Sequence, residues 1–143
     1  MQPGFNCTTS YIHLPPDSVP PEIRTGPSKF VVVVEAEVSG DWQQRVSDWI
    51  VASGCLYMMA WGRKCSSWDD SVDWANIDQC GARPIPQSEF VVTTWHDDEP
   101  LAEVLWFAKT VAKHTCIDLV NTVILDISTA SRRDELLRLY EAA

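Results

Sequence analysis

The chain has 143 residues, of which 45% are hydrophobic and 22% charged, and this composition is typical of one globular domain rather than of a disordered chain. Its formal net charge of −9 is repelled by phosphate backbones and anionic membrane surfaces, so nucleic-acid binding and membrane binding are not expected. No apolar run reaches the ~18 residues that a membrane span needs. The odd, irregularly spaced set of five cysteines and the lack of a secretory signal predict reduced thiols and a cytoplasmic location.

Residues 1–29 are predicted to form an extended N-terminal leader. The stretch LPPDSVPPEIRTGPSK, residues 14–29, holds five prolines and has no hydrophobic periodicity. We expect it to lie over the surface of a single domain that comprises residues 30–143.

Four strand-and-helix pairs follow in order. The predicted strands are FVVVVEAEV, CLYMMAW, FVVTTW and NTVILDI, at residues 30–38, 55–61, 90–95 and 121–127. Amphipathic stretches after each strand predict helices that begin near residues 41, 67, 98 and 131, the second with Ser67 and Asp70 as a capping box.

This alternation predicts a three-layer α/β domain with a four-stranded, mostly parallel sheet and helices on both faces. A flavodoxin-like or minimal Rossmann-like strand order is expected. Ligands of such sheets bind beyond the carboxyl ends of the strands. The side chains that this rule assigns to a candidate binding edge are Glu37, Trp61, Arg63, Trp68, Asp69, Asp70, Asp73, Trp95, Asp97 and Asp126.

Two residues at this edge are candidates for catalysis. His96 follows the third strand and is a candidate general base or metal ligand, or a histidine that fixes the turn by hydrogen bonds. Cys65 stands beside Arg63 and Lys64 before a helix start, where a lowered thiol pKa would make it reactive; a structural cysteine is the alternative.

The acidic residues have an ordinary interpretation as well. Asp97 and its neighbours fit helix caps and partners of the helix dipole. Asp69 and Asp73 are spaced i, i+4 and repel each other mildly, so they favour solvent, a cation or a basic partner. Glu35 and Glu37, expected to point to the same side of the first strand, are harder to explain unless they reach a crevice or a partner.

Several classes of site are absent from the sequence. The first strand is not followed by the glycine-rich loop of a dinucleotide or P-loop site, and the cysteines and histidines lack zinc-site spacing. A G-x-S-x-G elbow is missing, which excludes that class of serine hydrolase. The acid pattern also differs from that of a response-regulator receiver.

The stretches CLYMMAWG, WDDSVDW and TTWHDDEPL, in this order, resemble a family of short bacterial proteins of unknown function. The resemblance covers about residues 30–127 and implies a bacterial cytosolic source. It directs attention, without assigning roles, to Trp61, Trp68, Asp69, Asp70, Trp95 and His96.

Two functional hypotheses follow. The first is a non-enzymatic, accessory or immunity-type module that binds a basic protein surface through a carboxylate- and tryptophan-rich edge and needs no cofactor; it draws on the net charge and the seven tryptophans. The second is a metal-assisted hydrolase or phosphoryl-transfer enzyme, in which His96 is the base or a ligand and nearby carboxylates hold Mg²⁺ or another divalent cation.

Overall fold

The computed structural model of the protein describes residues 8–81 and 83–143. Five strands and four α-helices follow one another along the chain, together with a short 3₁₀ turn at Gln87–Glu89. In order they are β1 (Thr8–His13), β2 (Ser28–Val34), α1 (Gly40–Ser53), β3 (Cys55–Gly62), α2 (Cys65–Gln79), β4 (Val92–His96), α3 (Leu101–Thr110), β5 (Asn121–Ile127) and α4 (Arg133–Ala142).

The five strands form one all-parallel sheet in the order β1-β5-β2-β3-β4. The central strand β2 is buried on both faces, as its continuous run of valines predicts. Phe30, Val32 and Val34 pack with α1 and α2, whereas Val31 and Val33 pack with α3 and α4. The molecule is therefore a three-layer α/β domain, as expected from the sequence.

Helix α1 has a well-defined start and end. The Ser39 hydroxyl accepts a hydrogen bond of 3.2 Å from the Trp42 amide at the start of the helix. Gly54 ends the helix in a left-handed conformation with φ of 115°, and a Cβ atom there would lie 2.4 Å from the Gly26 carbonyl oxygen. Only glycine fits this position.

The expected number of four strands is wrong, because Thr8–His13 adds a fifth strand that pairs with β5. Three of its six residues are exposed and the other three only partly buried, so the sequence TTSYIH carries no continuous apolar run. The sheet thus extends into the range assigned to the leader. Residues 14–21 of that range lie on the domain, where Leu14 is buried and the Trp42 and Trp49 indoles donate hydrogen bonds to the carbonyls of Ser18 and Pro21.

Two details of the local prediction are also wrong. Helix α2 begins at Cys65 rather than at Ser67, and the Ser67 hydroxyl donates a hydrogen bond of 2.6 Å to the Lys64 carbonyl instead of capping the helix. Glu35 and Glu37 do not share a side, because β2 ends at Val34 and the chain turns there. Among the helices in residues 8–81 and 83–143, none combines the length and apolar character needed to cross a membrane.

Candidate functional site

The connections that follow the neighbouring strands β2 and β5 run to opposite faces of the sheet. The chain leaves β2 toward α1 on one face of the sheet, and it leaves the adjacent β5 toward α4 on the other face. In open parallel sheets such a divergence opens a crevice at the carboxyl ends of the strands, where ligands bind. This edge is therefore the position at which the fold favours a binding site.

A cavity of about 440 Å³ lies at this edge on the side of α1 and α2, and we call it the switch cavity. Its size falls within the range of small-molecule sites. Val34, Ala36, Val38 and Trp68 form its apolar walls. The polar groups that line it are Asp17, Glu37, Ser39, Gln43, Arg63 and Lys64.

The turn from β3 to α2 brings two cationic residues to the switch cavity. Gly62 has φ of 102°, and a Cβ atom there would lie 2.2 Å from the Val34 carbonyl oxygen, so the turn passes directly over the end of β2. That carbonyl accepts a hydrogen bond of 2.9 Å from the Arg63 amide. Lys64 adopts a left-handed conformation with φ of 49°, which is costly for a residue with a side chain.

Helices α1 and α2 are joined by a polar cluster beside the cavity. The Gln43 amide nitrogen donates hydrogen bonds of 3.1 and 3.2 Å to the hydroxyls of Ser67 and Ser71, and Ser47 lies 2.8 Å from the Ser71 hydroxyl. These bonds hold the amide group of Gln43 in one orientation, so the cavity wall formed by the two helices is preorganised.

The α4 side of the crevice is filled by an ion-paired network. The Arg132 guanidinium contacts the Glu35 carboxylate and donates to Glu135 at 2.8 and 3.0 Å, and these two carboxylates, Glu135 first, raise the pKa of Arg132. The wholly buried Asp126 accepts hydrogen bonds from the Tyr11 hydroxyl and the Arg132 amide. Burial, with a further contribution from Asp126, raises the pKa of Tyr11. Asp126 thus positions the start of α4 and does not reach the switch cavity.

His96 is held on the other face of the sheet. It is buried, with Nε2 at 2.9 Å from the Thr94 hydroxyl and Nδ1 at 3.1 Å from the Glu99 carboxylate, and its ring packs edge-on against Phe107 of α3. The Trp61 indole, on the same face, donates a hydrogen bond of 2.7 Å to the Glu99 carbonyl. These contacts fix the turn between β4 and α3.

Cys65, the first residue of α2, is buried in the core between the sheet and the helices α1 and α2, on the opposite face from the His96 ring. Burial raises its thiol pKa, and the Asp97 carboxylate raises it further. The expected lowering of this pKa by Arg63 and Lys64 is therefore wrong, because desolvation and an acidic neighbour dominate. His96 and Cys65 do not face each other across a cleft.

A second surface is formed by α2 and the edge strand β4. The Asp73 carboxylate accepts a hydrogen bond of 2.8 Å from the Thr93 hydroxyl, and its pKa is raised by burial and by the negative charges of Asp69 and Asp70. Two indoles flank these acids: Trp74 is 60% exposed and Trp95 is 50% exposed. We call Asp69, Asp70, Asp73, Trp74 and Trp95 the acidic tryptophan face.

No cation neutralises this face among the residues that the structure describes. The three ion pairs within the described residues are His96–Glu99, Arg132–Glu35 and Arg132–Glu135, and none of them involves a residue of this face. One carboxylate oxygen of Asp69 is even buried without a hydrogen-bond partner. The face therefore carries concentrated negative charge next to exposed aromatic surface.

The residues expected at the candidate edge therefore separate into several groups. Glu37, Arg63 and Trp68 line the switch cavity, Asp69, Asp70, Asp73 and Trp95 form the acidic tryptophan face, and Trp61 and His96 lie under α3. Asp97 is exposed near Cys65, and Asp126 is buried beside Tyr11. Within the described ranges, no three histidine, cysteine or acidic side chains are grouped so that they could hold a metal ion.

Some residues of these surfaces had no signal in the sequence. Asp17 reaches the switch cavity from the proline-rich leader, and Ser39 and Gln43 reach it from the start of α1. Trp74 lies outside the buried stripe of α2, and its exposure could have been inferred from that pattern.

The chain was compared with known proteins. The model of a family described as a domain of unknown function, DUF7684, matches residues 9–143. No curated protein and no solved structure gives a significant match.

Proposed function

The chain belongs to the DUF7684 family, and on that premise we propose that it is a non-enzymatic binding module that docks a basic protein through the acidic tryptophan face. Accessory and immunity-type proteins of bacteria act in this way. The observation that carries the proposal is the exposure of Trp74 and Trp95 beside three aspartates without a cationic partner in the described part of the chain.

The charges of this face favour a basic partner. Burial raises the pKa of Asp73, and the charges of Asp69 and Asp70 raise it further, so the three carboxylates repel one another in the free protein. Lysine or arginine side chains of a partner would relieve that repulsion. The net charge of the protein, −9, has the same sign as the charge of this face. It would therefore also steer a basic partner toward the protein at low ionic strength.

The indoles supply the apolar part of the surface. Exposed tryptophans are enriched among the residues that dominate binding energy at protein interfaces, and their faces also attract lysine and arginine side chains. Trp74 follows Asp73 directly on α2, while Trp95 lies two residues after Thr93, which binds Asp73. The Thr93–Asp73 bond therefore joins the acidic residues of α2 and Trp74 to the strand that carries Trp95.

The strand order supports a minimal Rossmann-like assignment of the fold. Strands β4-β3-β2-β5 correspond to the order 3-2-1-4 of dinucleotide-binding sheets. The loop after β2, EAEVS, lacks the glycines that such a cofactor requires, so the fold supports the domain class and not a dinucleotide function.

The alternative of a metal-assisted enzyme has no specific observation in its favour. Its proposed groups lie apart, with His96 under α3, Asp69 on α2 and Asp126 between Tyr11 and α4. The docking proposal is therefore the one that we develop.

Cross-linked capture from the source cells at low salt, followed by identification of the captured protein, tests the proposal. We expect a basic protein whose recovery falls as salt is raised. The triple variant Asp69→Asn/Asp70→Asn/Asp73→Asn should no longer capture this partner. With purified proteins, Trp74→Ala should weaken the affinity for the partner about 30-fold, which corresponds to a hot-spot residue of about 2 kcal/mol.

A charge-matched control separates this face from the overall charge. The exposed residues in Glu22→Gln/Asp48→Asn/Asp118→Asn lie elsewhere, and this variant loses the same three charges. It should retain the partner. Equal loss of binding in both triple variants would show attraction by net charge alone and would refute the proposed face.

A further inference from the structure

Two cationic residues, Arg63 and Lys64, line the switch cavity in a chain with 20 acidic residues and 11 lysines and arginines. Neither Arg63 nor Lys64 takes part in an ion pair or a side-chain hydrogen bond with any residue that the structure describes. Both line the same cavity, and the chain is bent into a costly conformation at Lys64 to place them there. In a protein this acidic, such a pair is the feature that needs an explanation.

Ser39 and Gln43 bring the start of α1 to the cavity wall, so the first amides of the helix lie next to it in the chain. Ser39 accepts from the Trp42 amide, while the amides of Gly40 and Asp41, the first two residues of this 14-residue helix, have no partner within the helix. A Cβ atom at Gly40 would meet nothing within 4 Å, so the helix start is open. Free amides and nearby cationic groups together form a favourable environment for an anion.

The acids of the cavity define the rest of the ligand. Asp17 and Glu37 line it together with the cations, so a ligand that is only anionic would be repelled at that end. Carboxylates accept hydrogen bonds, and sugar hydroxyls donate them. The lining is thus suited to a molecule with a phosphate group at one end and hydroxyl groups at the other.

We propose that the switch cavity binds a small sugar phosphate, with the phosphate at Arg63 and Lys64 and the sugar hydroxyls at Glu37 and Asp17. Arg63 supplies a planar fork that fits two phosphate oxygens, and Lys64 a compact charge beside it. The volume of about 440 Å³ accommodates a ligand of this size. This site is separate from the acidic tryptophan face and does not depend on the docking proposal.

The test is a titration of the ¹⁵N-labelled full chain, followed by NMR at constant ionic strength, with ribose 5-phosphate, inorganic phosphate and ribose as probes. We expect saturable shifts at the amides of Gly40, Asp41, Arg63 and Lys64 with ribose 5-phosphate, weaker ones with inorganic phosphate, and none with ribose. Absence of saturable shifts with both phosphate compounds through the millimolar range would overturn the proposal.

Variants identify the groups responsible. Arg63→Gln/Lys64→Gln should weaken ribose 5-phosphate binding about tenfold or more. Arg24→Gln/Arg45→Gln removes two exposed arginines elsewhere and should leave binding unchanged. Equal weakening in both double variants would show that only net charge matters and would refute the site.

Glu37→Gln tests the sugar end. It should weaken the binding of ribose 5-phosphate, because it alters an acceptor for a sugar hydroxyl. The binding of inorganic phosphate should not weaken, because the variant removes a charge that repels phosphate. Equal affinities for the two phosphate compounds in the parent protein would refute the assignment of a sugar to the acids.

Discussion

The Thr93 hydroxyl donates a hydrogen bond of 2.8 Å to the Asp73 carboxylate and thereby joins the edge strand β4 to helix α2. The same carboxylate lies near Asp69 and Asp70, whose charges raise its pKa after burial has done so. One residue therefore both connects the two elements of the acidic tryptophan face and carries unfavourable charge. The repulsion among these carboxylates therefore lowers the stability of the free protein.

Replacing Asp73 by asparagine should raise the free energy of unfolding at neutral pH by about 0.2–0.5 kcal/mol, the size of a like-charge helix pair. The asparagine carbonyl can still accept from Thr93. Because the pKa of Asp73 is raised in the folded protein from its ordinary 3.8, stability falls as pH rises from that value through the raised one. The gain in the variant should therefore disappear below the ordinary pKa.

Urea unfolding at several pH values measures this effect. Asp48→Asn, on the exposed side of α1, is the matched control and should show no comparable gain. A Asp73→Asn variant less stable than the parent at neutral pH would contradict the argument from charge repulsion.

The Glu35–Arg132 pair should contribute more than the Arg132–Glu135 pair, although the latter has two hydrogen bonds. The Glu35 side chain is 28% exposed and that of Glu135 is 60% exposed, so solvent screens the second pair more strongly. We expect Glu35→Gln to lower the free energy of unfolding by about 1–2 kcal/mol, and Glu135→Gln to have a much smaller effect. A double-mutant cycle of Glu35→Gln with Arg132→Met, measured by urea unfolding, should give a coupling free energy that stabilises the folded protein. A coupling free energy of zero would show that the Glu35–Arg132 pair does not stabilise it.

The buried thiols should be unreactive in the folded protein. Burial raises the pKa of Cys55 to about 12 and also raises that of Cys65, so both remain protonated at neutral pH, and Cys80 is buried as well. In a Cys7→Ser variant, a thiol reagent at neutral pH should label Cys116 rapidly and the other three cysteines only after unfolding. Mass spectrometry of the labelled peptides gives the assignment, and rapid labelling of Cys65 would instead support a reactive thiol.

His96 should act as a structural residue. Its replacement by alanine removes contacts with Thr94, Glu99 and Phe107, and we expect a loss of about 1–3 kcal/mol in the free energy of unfolding. Thr94→Val removes one of these partners and should cost less. Thermal unfolding measures both; a His96→Ala variant as stable as the parent would remove the structural explanation and return attention to a chemical role.

The strands with long apolar runs could be predicted from the sequence, because burial on both faces leaves a continuous pattern. NTVILDI corresponds to β5 residue for residue, whereas the strand predicted as FVVVVEAEV at residues 30–38 is observed at Ser28–Val34 and ends four residues earlier. TTSYIH carries no such run, since β1 lies at the edge of the sheet and its first residues are exposed, and it was missed for that reason.

The sequence assigned the candidate side chains to the carboxyl ends of the strands, but it could not predict which face of the sheet each side chain would reach. His96 ends β4 and Cys65 follows β3 at the same edge of the sheet, yet the His96 ring packs against α3 on one face and the Cys65 side chain is buried with α1 on the other. Side chains alternate between the two faces only as far as the strand continues, so the face that a residue near its end reaches depends on where the strand ends. That boundary, which also separates Glu35 from Glu37 after Val34, cannot be located to a single residue from sequence.

The pairing of β1 with β5 sets an order for folding during synthesis. The two strands are joined by residues 113 positions apart, such as Thr8 and Asn121. On the ribosome β1 must wait, unpaired, for most of the domain to be translated, whereas β2, β3 and β4 can pair successively as each emerges. When β5 arrives it must insert between β2 and β1, so the last strand made occupies an interior position in the sheet. We expect a slow final step that is typical of parallel sheets with distant pairings, and nascent chains that stop before β5 should expose the edge of β2.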